Sequence, residues 1–450
     1  MNKLQVLRFR LRFLLQEFEL LQGETLLGRG PDCHITIEDP LISRHHGKIV
    51  VSGSLAVYHD LGSRNGTFVG TPPRRVERER IDLRTPILLG DTPLPASALE
   101  DVLARTGPAA TAAEWEMWGV NLAIEEINAA GGVLGRKLEV LVMDNKCNPS
   151  EAVNAANKLI EAKVVAIEGS HCSSAHLASM KLIADAKIPM ITGIASNPQI
   201  TELSGKGRNE YAFRISASDS AMMNALGIYL ADKKPFKTVA IVAEDSDFGR
   251  GGADAFKAAV VPKAKLEVVS TDIHPQNTPD FTSILTRLQQ RRPDAVATFQ
   301  LGGDSLNFLR QAMQLGVRIP FTGRIELGGR NMPIIEAGGL EKSISAWQYS
   351  ALADSPQNKA FAEKIKAKHN AEPYLQTWAG YECIRVLAEA IKKAGSTDGE
   401  KIKNALKGMT FTNVMGKTVT FDEYNQAGHW VALHTVLNRK VALADMVEVK

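Results

Sequence analysis

The hydrophobic pattern of this chain changes once, between Leu88 and Ala110, and that change constrains the fold more than any other feature of the sequence. Before it, short runs of alternating apolar and polar residues are separated by turn residues, as in β-strands with one buried face. After it, helical stretches alternate with short apolar runs, as in parallel sheets covered by helices on both faces. We therefore predict two different folds that meet near this segment.

Composition agrees with a globular chain of two or three domains. The 450 residues are 44% hydrophobic and 23% charged, which is enough apolar material for a large core. The formal net charge is only +3, so we predict neither nucleic acid nor an anionic membrane as the main partner. The apolar runs are too short to predict a membrane-spanning helix.

The first residues are basic and apolar but lack the pattern of an export signal. Arg8, Arg10 and Arg12 interrupt the apolar run, and no small-residue cleavage site follows them. The apolar residues between these arginines recur with period two, which predicts a strand instead. We therefore predict a cytoplasmic location.

Three loops of the N-terminal block carry groups suited to binding phosphate: "LLGRGPDC", "LISRHHGKI" and "DLGSRNGTFVG". A guanidinium matches phosphate oxygens two at a time, a serine hydroxyl adds a donor, and an asparagine amide can pair with a peptide backbone. Any one of these loops alone is typical of a hairpin turn with solvated arginines. Their occurrence together, in this order, favours a site for a phosphorylated peptide.

These loops resemble those of the forkhead-associated (FHA) domain, whose pattern is Gly-Arg, then Ser-Arg-x-His, then Asn-Gly. The resemblance implies an all-β sandwich over residues 1–95 and a phosphothreonine-containing protein as partner. It implies that the phosphate is held by Arg29, Ser43 and Arg44 and that the peptide is contacted by Arg64 and Asn65.

The chain departs from the FHA pattern at its end. Val69–Pro73 stands where the family usually has an Asn-Gly turn, and the closing strands must lie in "IDLRTPILLGDTPL". Nothing after Pro95 has the pattern of a further strand, so we predict a sandwich that is short at its end.

The C-terminal block predicts parallel sheets covered by helices, and its length favours two lobes with a cleft between them. The predicted strands are Leu138–Met143, Val164–Ile167, Pro189–Thr192, Thr238–Val242 and Ala295–Phe299. The predicted helices include Ser150–Ala162, Ala175–Ala186 and Ser305–Leu315.

The loop "EGSHCSSAHLASMKL" joins a predicted strand to a predicted helix. Ser173 and Ser174 take capping positions, where backbone N–H groups and the helix dipole bind anions. These serines are therefore either simple helix caps or donors to a ligand carboxylate. Ser196, in the loop after the next predicted strand, is expected to lie on the same side of the sheet.

Catalytic, metal and nucleotide chemistry are weakly supported. No Gly-x-Ser-x-Gly elbow surrounds Ser173, although a hydrolase using this loop is a third possible class. The histidines and cysteines show no metal-binding spacing, and the glycine loops lack a nucleotide-binding frame. We predict no cofactor.

The C-terminal block resembles the leucine/isoleucine/valine-binding family of periplasmic binding proteins over most of residues 107–450. The resemblance rests on "TGPAA", "GVNLAIEEINAAGGVLGRKLEV", "HCSSAHLA", "IPMITGIASNPQIT" and "DSDFGRGGADAF". It implies a type I two-lobed receptor that closes on a free amino acid or similar small molecule and that has an ABC permease as a further partner. It implies that the carboxylate is bound by Ser173, Ser196 and the backbone at Ile194, that Phe248 packs from the opposite lobe, and that Glu326 pairs with the ammonium.

Departures from the family pattern limit the ligand to the amino-acid class without establishing leucine. Ala112 and Leu301 stand where members often have aromatic residues, and Glu326 aligns only with a one-residue gap. Phe248 is equally interpreted as an ordinary core aromatic.

The resemblance also implies a disulfide between Cys147 and Cys172, as in members that work in the periplasm. In the chain-entropy model it would be worth roughly 3 kcal/mol. In the cytoplasm both thiols are expected to stay reduced.

We therefore predict domains at 1–95 and 107–450, with a junction at 96–106. Family members begin with an apolar strand, and the equivalent here, Glu100–Arg105, offers only three apolar residues. The favoured function is a non-enzymatic receptor that joins amino-acid binding to phosphothreonine recognition. The alternative is a cytoplasmic signalling adaptor whose C-terminal half is a passenger.

Overall fold

A computed structural model describes residues 9–13, 16–20, 23–37, 42–52, 55–69, 74–80, 87–89, 92–94, 100–101, 110–428 and 430–449. The chain divides into two compact units, Met1–Ala104 and Arg105–Lys450. The boundary between the units lies within the segment where the hydrophobic pattern changes. Within the part of the chain that the structure describes, no helix is both long enough and apolar enough to cross a lipid bilayer.

The described residues of the first unit form strands and turns without a helix. Its twelve strands are β1 Phe9–Phe13, β2 Gln16–Leu20, β3 Gly23–Gly28, β4 Ile35–Thr36, β5 Gly47–Ser52, β6 Leu55–Asp60, β7 Thr67–Val69, β8 Arg74–Val76, β9 Arg78–Arg80, β10 Ile87–Leu89, β11 Thr92–Leu94 and β12 Glu100–Asp101. They form sheets in the orders β4-β3-β5-β6-β9, β11-β10-β7-β8 and β12-β1-β2. Leu27, Ile35, Ile49 and Tyr58 are at most 1% exposed, because these alternate positions of the strands point inward.

The end of the first unit differs from the prediction. The expected absence of a strand after Pro95 is wrong, because β12 pairs antiparallel with β1, with Glu100 opposite Arg10. The sequence analysis placed Glu100 and Asp101 in the first strand of the second unit, Glu100–Arg105. In the structure these two residues belong to a sheet of the first unit instead. Two acidic residues suit an edge strand better than the buried centre of a parallel sheet. The rest of that segment, 102–105, lies outside the described residues.

The second unit alternates helices and strands. Its helices are α1 Ala110–Ala129, α2 Pro149–Glu161, α3 Ser173–Asp185, α4 Pro198–Glu202, α5 Asp219–Lys233, α6 Asp247–Ala255, α7 Val261–Ala264, α8 Thr282–Arg291, α9 Gly302–Gln314, α10 Met332–Glu336, α11 Pro356–His369, α12 Leu375–Ala394 and α13 Gly399–Leu406. Its strands are β13 Ile167–Glu168, β14 Met190–Thr192, β15 Ala212–Arg214, β16 Thr238–Glu244, β17 Glu267–His274, β18 Ala295–Phe299, β19 Phe321–Gly323, β20 Ile344–Trp347, β21 Thr410–Thr412, β22 Thr418–Thr420, β23 Trp430–Leu437 and β24 Lys440–Glu448.

Two parallel sheets define two lobes. The first lobe contains the order β13-β14-β15, and the second contains β17-β16-β18-β19. An antiparallel sheet, β20-β23-β24, and the hairpin β21-β22 complete the unit. In the first lobe α1 and α12 pack closely at Gly119, because a Cβ there would collide with the carbonyl oxygen of Thr377.

The predicted strand Leu138–Met143 is wrong, because the structure gives these residues no strand conformation. The backbone N–H groups of residues 139–143 donate no hydrogen bond to another described residue, and Val140 and Leu141 are 42% and 48% exposed. The segment borders a cavity of about 510 Å³ that α1, α2, α12 and the β13 region also line. Among the described residues no strand lies beside this segment, so its largely apolar run has no described pairing partner.

This unpaired segment is expected to exchange its amide hydrogens far faster than the centre of the second lobe. Residues 239–243 of β16 pair with strands on both sides and are fully buried. Because local opening limits exchange, we expect rates for residues 139–143 at least about a thousandfold higher than for β16. Peptide-resolved hydrogen–deuterium exchange measures this difference. Equal protection of the two segments would show that residues 139–143 are paired in solution.

Candidate functional site

A cavity of about 70 Å³ lies where loops of the two lobes meet. This is several times the roughly 10–15 Å³ that one water molecule requires. The five residues predicted to bind a ligand all line it, together with residues that the sequence analysis did not select. The lining comprises Ala112, His171, Cys172, Ser173, Ile194, Ser196, Phe248, Gln300, Leu301, Gly302, Ser305, Arg324, Glu326, Arg330, Asn331, Trp347, Leu375 and Gln376.

Ser173 ties two loops of the first lobe together. It is the first residue of α3, and its Oγ accepts hydrogen bonds from the backbone N–H groups of Ser196 and Asn197, at 3.3 and 3.2 Å. The interpretation of this serine as a simple cap of its own helix is therefore wrong. Its hydroxyl proton has no acceptor among the described residues and can be donated into the cavity.

Ser174 also bonds outside its own helix. Its Oγ accepts a hydrogen bond from the backbone N–H of Asp247, at 3.4 Å, at the start of α6 in the second lobe. Asn197 donates from Nδ2 to the carbonyl oxygen of Asp247 at 2.5 Å. The lobes are therefore in contact beside Phe248, the second residue of α6.

Ser196 and Ile194 lie at the cavity, but their hydrogen-bonding groups have protein partners. The Ser196 hydroxyl donates to Oδ2 of Asp219 at 3.0 Å. The Ile194 N–H donates to Oγ1 of Thr192 at 3.3 Å. Of the predicted carboxylate donors, only Ser173 therefore retains a free donor in the structure.

A buried ion pair that includes Arg324, a residue of the cavity lining, was not predicted from the sequence. Nη1 of Arg324 lies 2.7 Å from Oδ1 of Asp219, and the two side chains are 3% and 0% exposed. Nη2 of Arg324 donates to Oε1 of Gln348 at 3.1 Å, and the guanidinium lies 4.8 Å from the ring centroid of Trp347. The sequence feature that could have indicated this pair is the position of Arg324 directly after the strand Phe321–Gly323.

Phe248 lies beside this arginine in the lining of the cavity. Its ring centroid lies 5.7 Å from the guanidinium carbon of Arg324, which is within cation–π range. Phe248 therefore lines the cavity instead of filling the interior of the second lobe.

Glu326 follows β19 and contributes an acidic group to the cavity. Burial raises its pKa from the ordinary 4.5 to about 7, and the positive charge of Arg330 partly opposes that rise. The two side chains are close, with Nε of Arg330 4.0 Å from Oε2 of Glu326. The carboxyl group is thus held partly protonated near neutral pH.

Cys147 and Cys172 form a disulfide whose Cα atoms lie 5.4 Å apart. The prediction that these thiols stay reduced therefore differs from the structure. Because Cys172 precedes Ser173 directly, the disulfide restrains the loop that carries Ser173. Cys33 and Cys383 are buried free thiols.

The geometry around Ser173 does not resemble a hydrolytic centre. Among the described residues, no histidine nitrogen forms a hydrogen bond with Ser173 Oγ, and Nδ1 of His171 lies 3.2 Å from Oε2 of Glu116. Burial lowers the pKa of His176 to about 3. A nucleophilic serine needs a base within hydrogen-bond reach.

In the first unit, a buried histidine links two of the three loops that were predicted to bind phosphate. His46 is fully buried, its Nε2 lies 3.2 Å from the carbonyl oxygen of Gly66, and its Nδ1 accepts from the N–H of Ser43 at 3.3 Å. These contacts require the neutral ring protonated at Nε2, and burial lowers the pKa of His46 accordingly. The Ser43 hydroxyl oxygen accepts from the N–H of Arg64 at 2.9 Å.

The three arginines of these loops are exposed, and Nε of Arg29 donates a hydrogen bond to the carbonyl oxygen of Ile42 at 3.2 Å. Arg29, Arg44 and Arg64 are all exposed, and no carboxylate of the described residues lies within 4.0 Å of their guanidinium nitrogens. The backbone N–H of Arg29 donates to the carbonyl oxygen of Ser43 at 2.9 Å. Asn65 is also exposed on the following loop. The predicted phosphopeptide residues therefore share one cluster of loops.

Asp32, Cys33 and His45, beside these loops, place three atoms capable of binding a metal within 4.8 Å of one another. The spacing analysis did not predict this group. Its atoms already have protein partners, since His45 pairs with Asp32 at 2.6 Å and the Cys33 thiol donates to the carbonyl oxygen of Arg44 at 3.1 Å.

Comparison with known proteins agrees with this architecture. Residues 102–440 match the family described as periplasmic binding protein, and residues 25–90 match the FHA domain. The leucine-, isoleucine-, valine-, threonine- and alanine-binding protein of Pseudomonas aeruginosa is 30% identical over 318 residues, which cover 71% of this chain and 83% of that protein. The Leu/Ile/Val-binding protein of Escherichia coli is 28% identical over 71% of this chain and 85% of its own length.

A solved structure shows the same fold. The branched-chain amino acid transporter substrate binding protein of Streptococcus pneumoniae, in complex with isoleucine, aligns with a TM-score of 0.68 and 26% identity, over 77% of this chain and 97% of that one. The cytoplasmic location predicted above finds no support in a family named for the periplasm. The chain belongs to the periplasmic binding protein family over residues 102–440 and carries an FHA domain over residues 25–90.

Proposed function

We propose that the second unit is a non-enzymatic receptor that binds a free amino acid, or a similar small molecule, between its lobes. The observation that carries this proposal is the convergence of Ser173, Ile194, Ser196, Phe248 and Glu326 on one cavity. The named ligands of the relatives, which include leucine, isoleucine and valine, support the same class of ligand. An ABC permease is the corresponding partner for transport.

Opposite charges at the cavity suit the two charged groups of an amino acid. The Ser173 hydroxyl and the N-terminus of α3, with its positive dipole end, can hold the α-carboxylate. Ionised Glu326 can hold the ammonium. Phe248 contributes apolar contact beside them.

We propose that the first unit binds a phosphothreonine peptide through Arg29, Ser43 and Arg44, with Arg64 and Asn65 contacting the peptide. A phosphothreonine carries about −1.5 to −2 charges at neutral pH. Exposed guanidinium groups without a nearby carboxylate are well placed to pair with it. A chain with both activities would be an amino-acid receptor that also binds a phosphothreonine-containing protein.

The test of amino-acid binding is the melting temperature of the full-length chain with each of the twenty free amino acids at millimolar concentration. A ligand at 100 times its dissociation constant adds about 2.7 kcal/mol to the stability of the bound unit. A shift with a chemically related subset supports the receptor. A cooperative melt that no amino acid shifts would favour the alternative, a phosphothreonine adaptor with a passenger half.

The cysteines distinguish the two candidate compartments. Cytosolic thiols stay reduced, whereas a disulfide persists in an oxidising compartment such as the periplasm. The Cys147–Cys172 disulfide therefore favours an oxidising compartment such as the periplasm. Alkylation of protein from intact cells, followed by mass spectrometry, measures the oxidation state, and two alkylated thiols at these positions would instead favour the cytoplasm.

Amino-acid binding is expected to weaken as the pH falls through 7. The raised pKa of Glu326, about 7, means that the carboxyl group must lose a proton before it can pair with a ligand ammonium. Below pH 7 binding should therefore release up to about one proton per ligand. In the unliganded protein, the stability associated with neutral Glu326 is present below its ordinary pKa of 4.5 and is lost as the pH rises through about 7.

Calorimetry in two buffers of different ionisation enthalpy measures the released proton. The Glu326→Gln variant keeps the shape of the side chain but cannot titrate, so its binding should be weaker and independent of pH near 7. A proton release that persists in this variant would assign the titration to another group.

A further inference from the structure

Arg330 places a second positive charge at the ligand cavity. It belongs to the cavity lining, and its guanidinium carbon lies 5.2 Å from the ring centroid of Trp115. The guanidinium also lies against Gly302, where a Cβ would collide with it. Its side chain is 21% exposed, and its Nε is buried without a hydrogen-bond partner among the described residues.

The two arginines of the cavity differ in their partners. Arg324 is paired with Asp219 at 2.7 Å, so its charge is compensated in the absence of a ligand. The carboxylate that lies within 4.0 Å of Arg330, in the described part of the chain, is Glu326, at the limit of that distance. The ion pair of Arg330 with Glu326 is therefore weak. Glu326 is also the residue proposed to pair with the ligand ammonium.

Binding of an ammonium to Glu326 would remove the counter-charge of Arg330. A largely buried cation without an anionic partner is unfavourable. The N-terminus of α9, at Gly302 beside the guanidinium, adds further positive potential. A neutral aliphatic ligand side chain leaves this charge uncompensated, whereas a carboxylate on the side chain compensates it.

We propose that the preferred ligand is an amino acid with a side-chain carboxylate, of the aspartate or glutamate class. This inference rests on the proposed amino-acid receptor function. The α-carboxylate lies with Ser173 and α3, the ammonium pairs with Glu326, and the side-chain carboxylate pairs with Arg330. The ammonium and the side-chain carboxylate of such a ligand then each have an oppositely charged partner, and the α-carboxylate has the Ser173 hydroxyl and the N-terminus of α3.

The test compares acids with their amides, which have nearly the same size and shape. Isothermal titration of the full-length chain at about pH 8 with glutamate, glutamine, aspartate, asparagine, leucine and isoleucine measures the dissociation constants. We expect glutamate or aspartate to bind at least tenfold more tightly than its own amide. Leucine and isoleucine should bind more weakly than the preferred acid.

Variants at residue 330 assign the preference to this side chain. Arg330→Gln should bring the acid and its amide to within about twofold of each other, because the positive charge that distinguishes the two ligands is removed. Arg330→Lys keeps the charge and should retain most of the preference. The control Arg318→Gln removes an exposed arginine outside the cavity lining and should change neither constant.

The outcomes separate this inference from the proposed function. If leucine or isoleucine binds more tightly than both acids, the receptor function stands and the acidic preference is wrong. If no amino acid binds, the receptor function itself is wrong and this inference fails with it. An acid preference that survives in Arg330→Gln overturns the assignment to Arg330.

Discussion

Replacing Asp219 by alanine is expected to lower the unfolding free energy of the periplasmic-binding-protein unit by about 3–5 kcal/mol. The carboxylate is fully buried, 2.7 Å from Nη1 of Arg324, and accepts a hydrogen bond from Ser196. Its removal leaves the guanidinium of Arg324 buried without a counter-charge and leaves the Ser196 hydroxyl without its acceptor. Breaking one partner of such a pair is far more destabilising than losing the pair as a whole.

Tryptophan fluorescence measures the unfolding of the second unit separately from that of the first. All five tryptophans of the chain lie after residue 110, so denaturant unfolding followed at this signal does not report the FHA domain. The control Asp185→Ala removes an exposed ion pair with Lys181 and should cost at most about 0.5 kcal/mol. A loss below about 1 kcal/mol in Asp219→Ala would mean that Arg324 finds another anion or reaches water.

Replacing Arg29 by alanine is expected to weaken phosphothreonine-peptide binding by at least about a hundredfold, equivalent to about 2.7 kcal/mol. A guanidinium can form two parallel charge-assisted hydrogen bonds to a phosphate, and alanine forms neither. Arg29 is exposed, and its backbone N–H keeps its bond to Ser43 in the variant. The variant also loses the hydrogen bond that Nε of Arg29 donates to the carbonyl oxygen of Ile42 at 3.2 Å, so the thermal stability of each variant is measured beside its affinity.

Fluorescence polarisation with a degenerate phosphothreonine peptide library, and with the same library unphosphorylated, measures this effect in the full-length chain. Arg29→Lys keeps one charge and should lose less affinity than Arg29→Ala. Arg78→Ala removes an exposed arginine of β9, outside the three loops, and serves as the control. Binding by Arg29→Ala within about threefold of the unmodified chain would place the phosphate elsewhere.

The loops of the first unit were predictable because their chemistry is local. Gly28-Arg29, Ser43-Arg44 and Arg64-Asn65 can be recognised from the order of residue types, and the match to the FHA domain confirms the resemblance. The role of His46 as the buried link between two of these loops depends on bonds to Ser43 and to Gly66, twenty residues later. No local pattern specifies such bonds.

The ligand cavity was predictable in its parts but not in its electrostatics. Motifs at the ends of strands selected Ser173 and Ser196, because parallel strands bring their carboxyl ends to one edge. Asp219 and Arg324 are separated by 105 residues, and only packing brings them together. The same packing uses the Ser196 hydroxyl for Asp219 and leaves Ser173 as the free donor.

The order of residues along the chain was enough to predict that two folds meet near residue 100, which families they resemble, and which loops carry the candidate sites. Hydrophobic period and short motifs are properties of neighbouring residues, so they can be detected along the chain. The folded structure was needed to show that Leu138–Met143 forms no strand, that Arg324 is paired with Asp219, and that the carboxylate nearest to Arg330 lies at 4.0 Å. Strand pairing and charge compensation depend on partners distant in sequence, and each changes with what packs beside it.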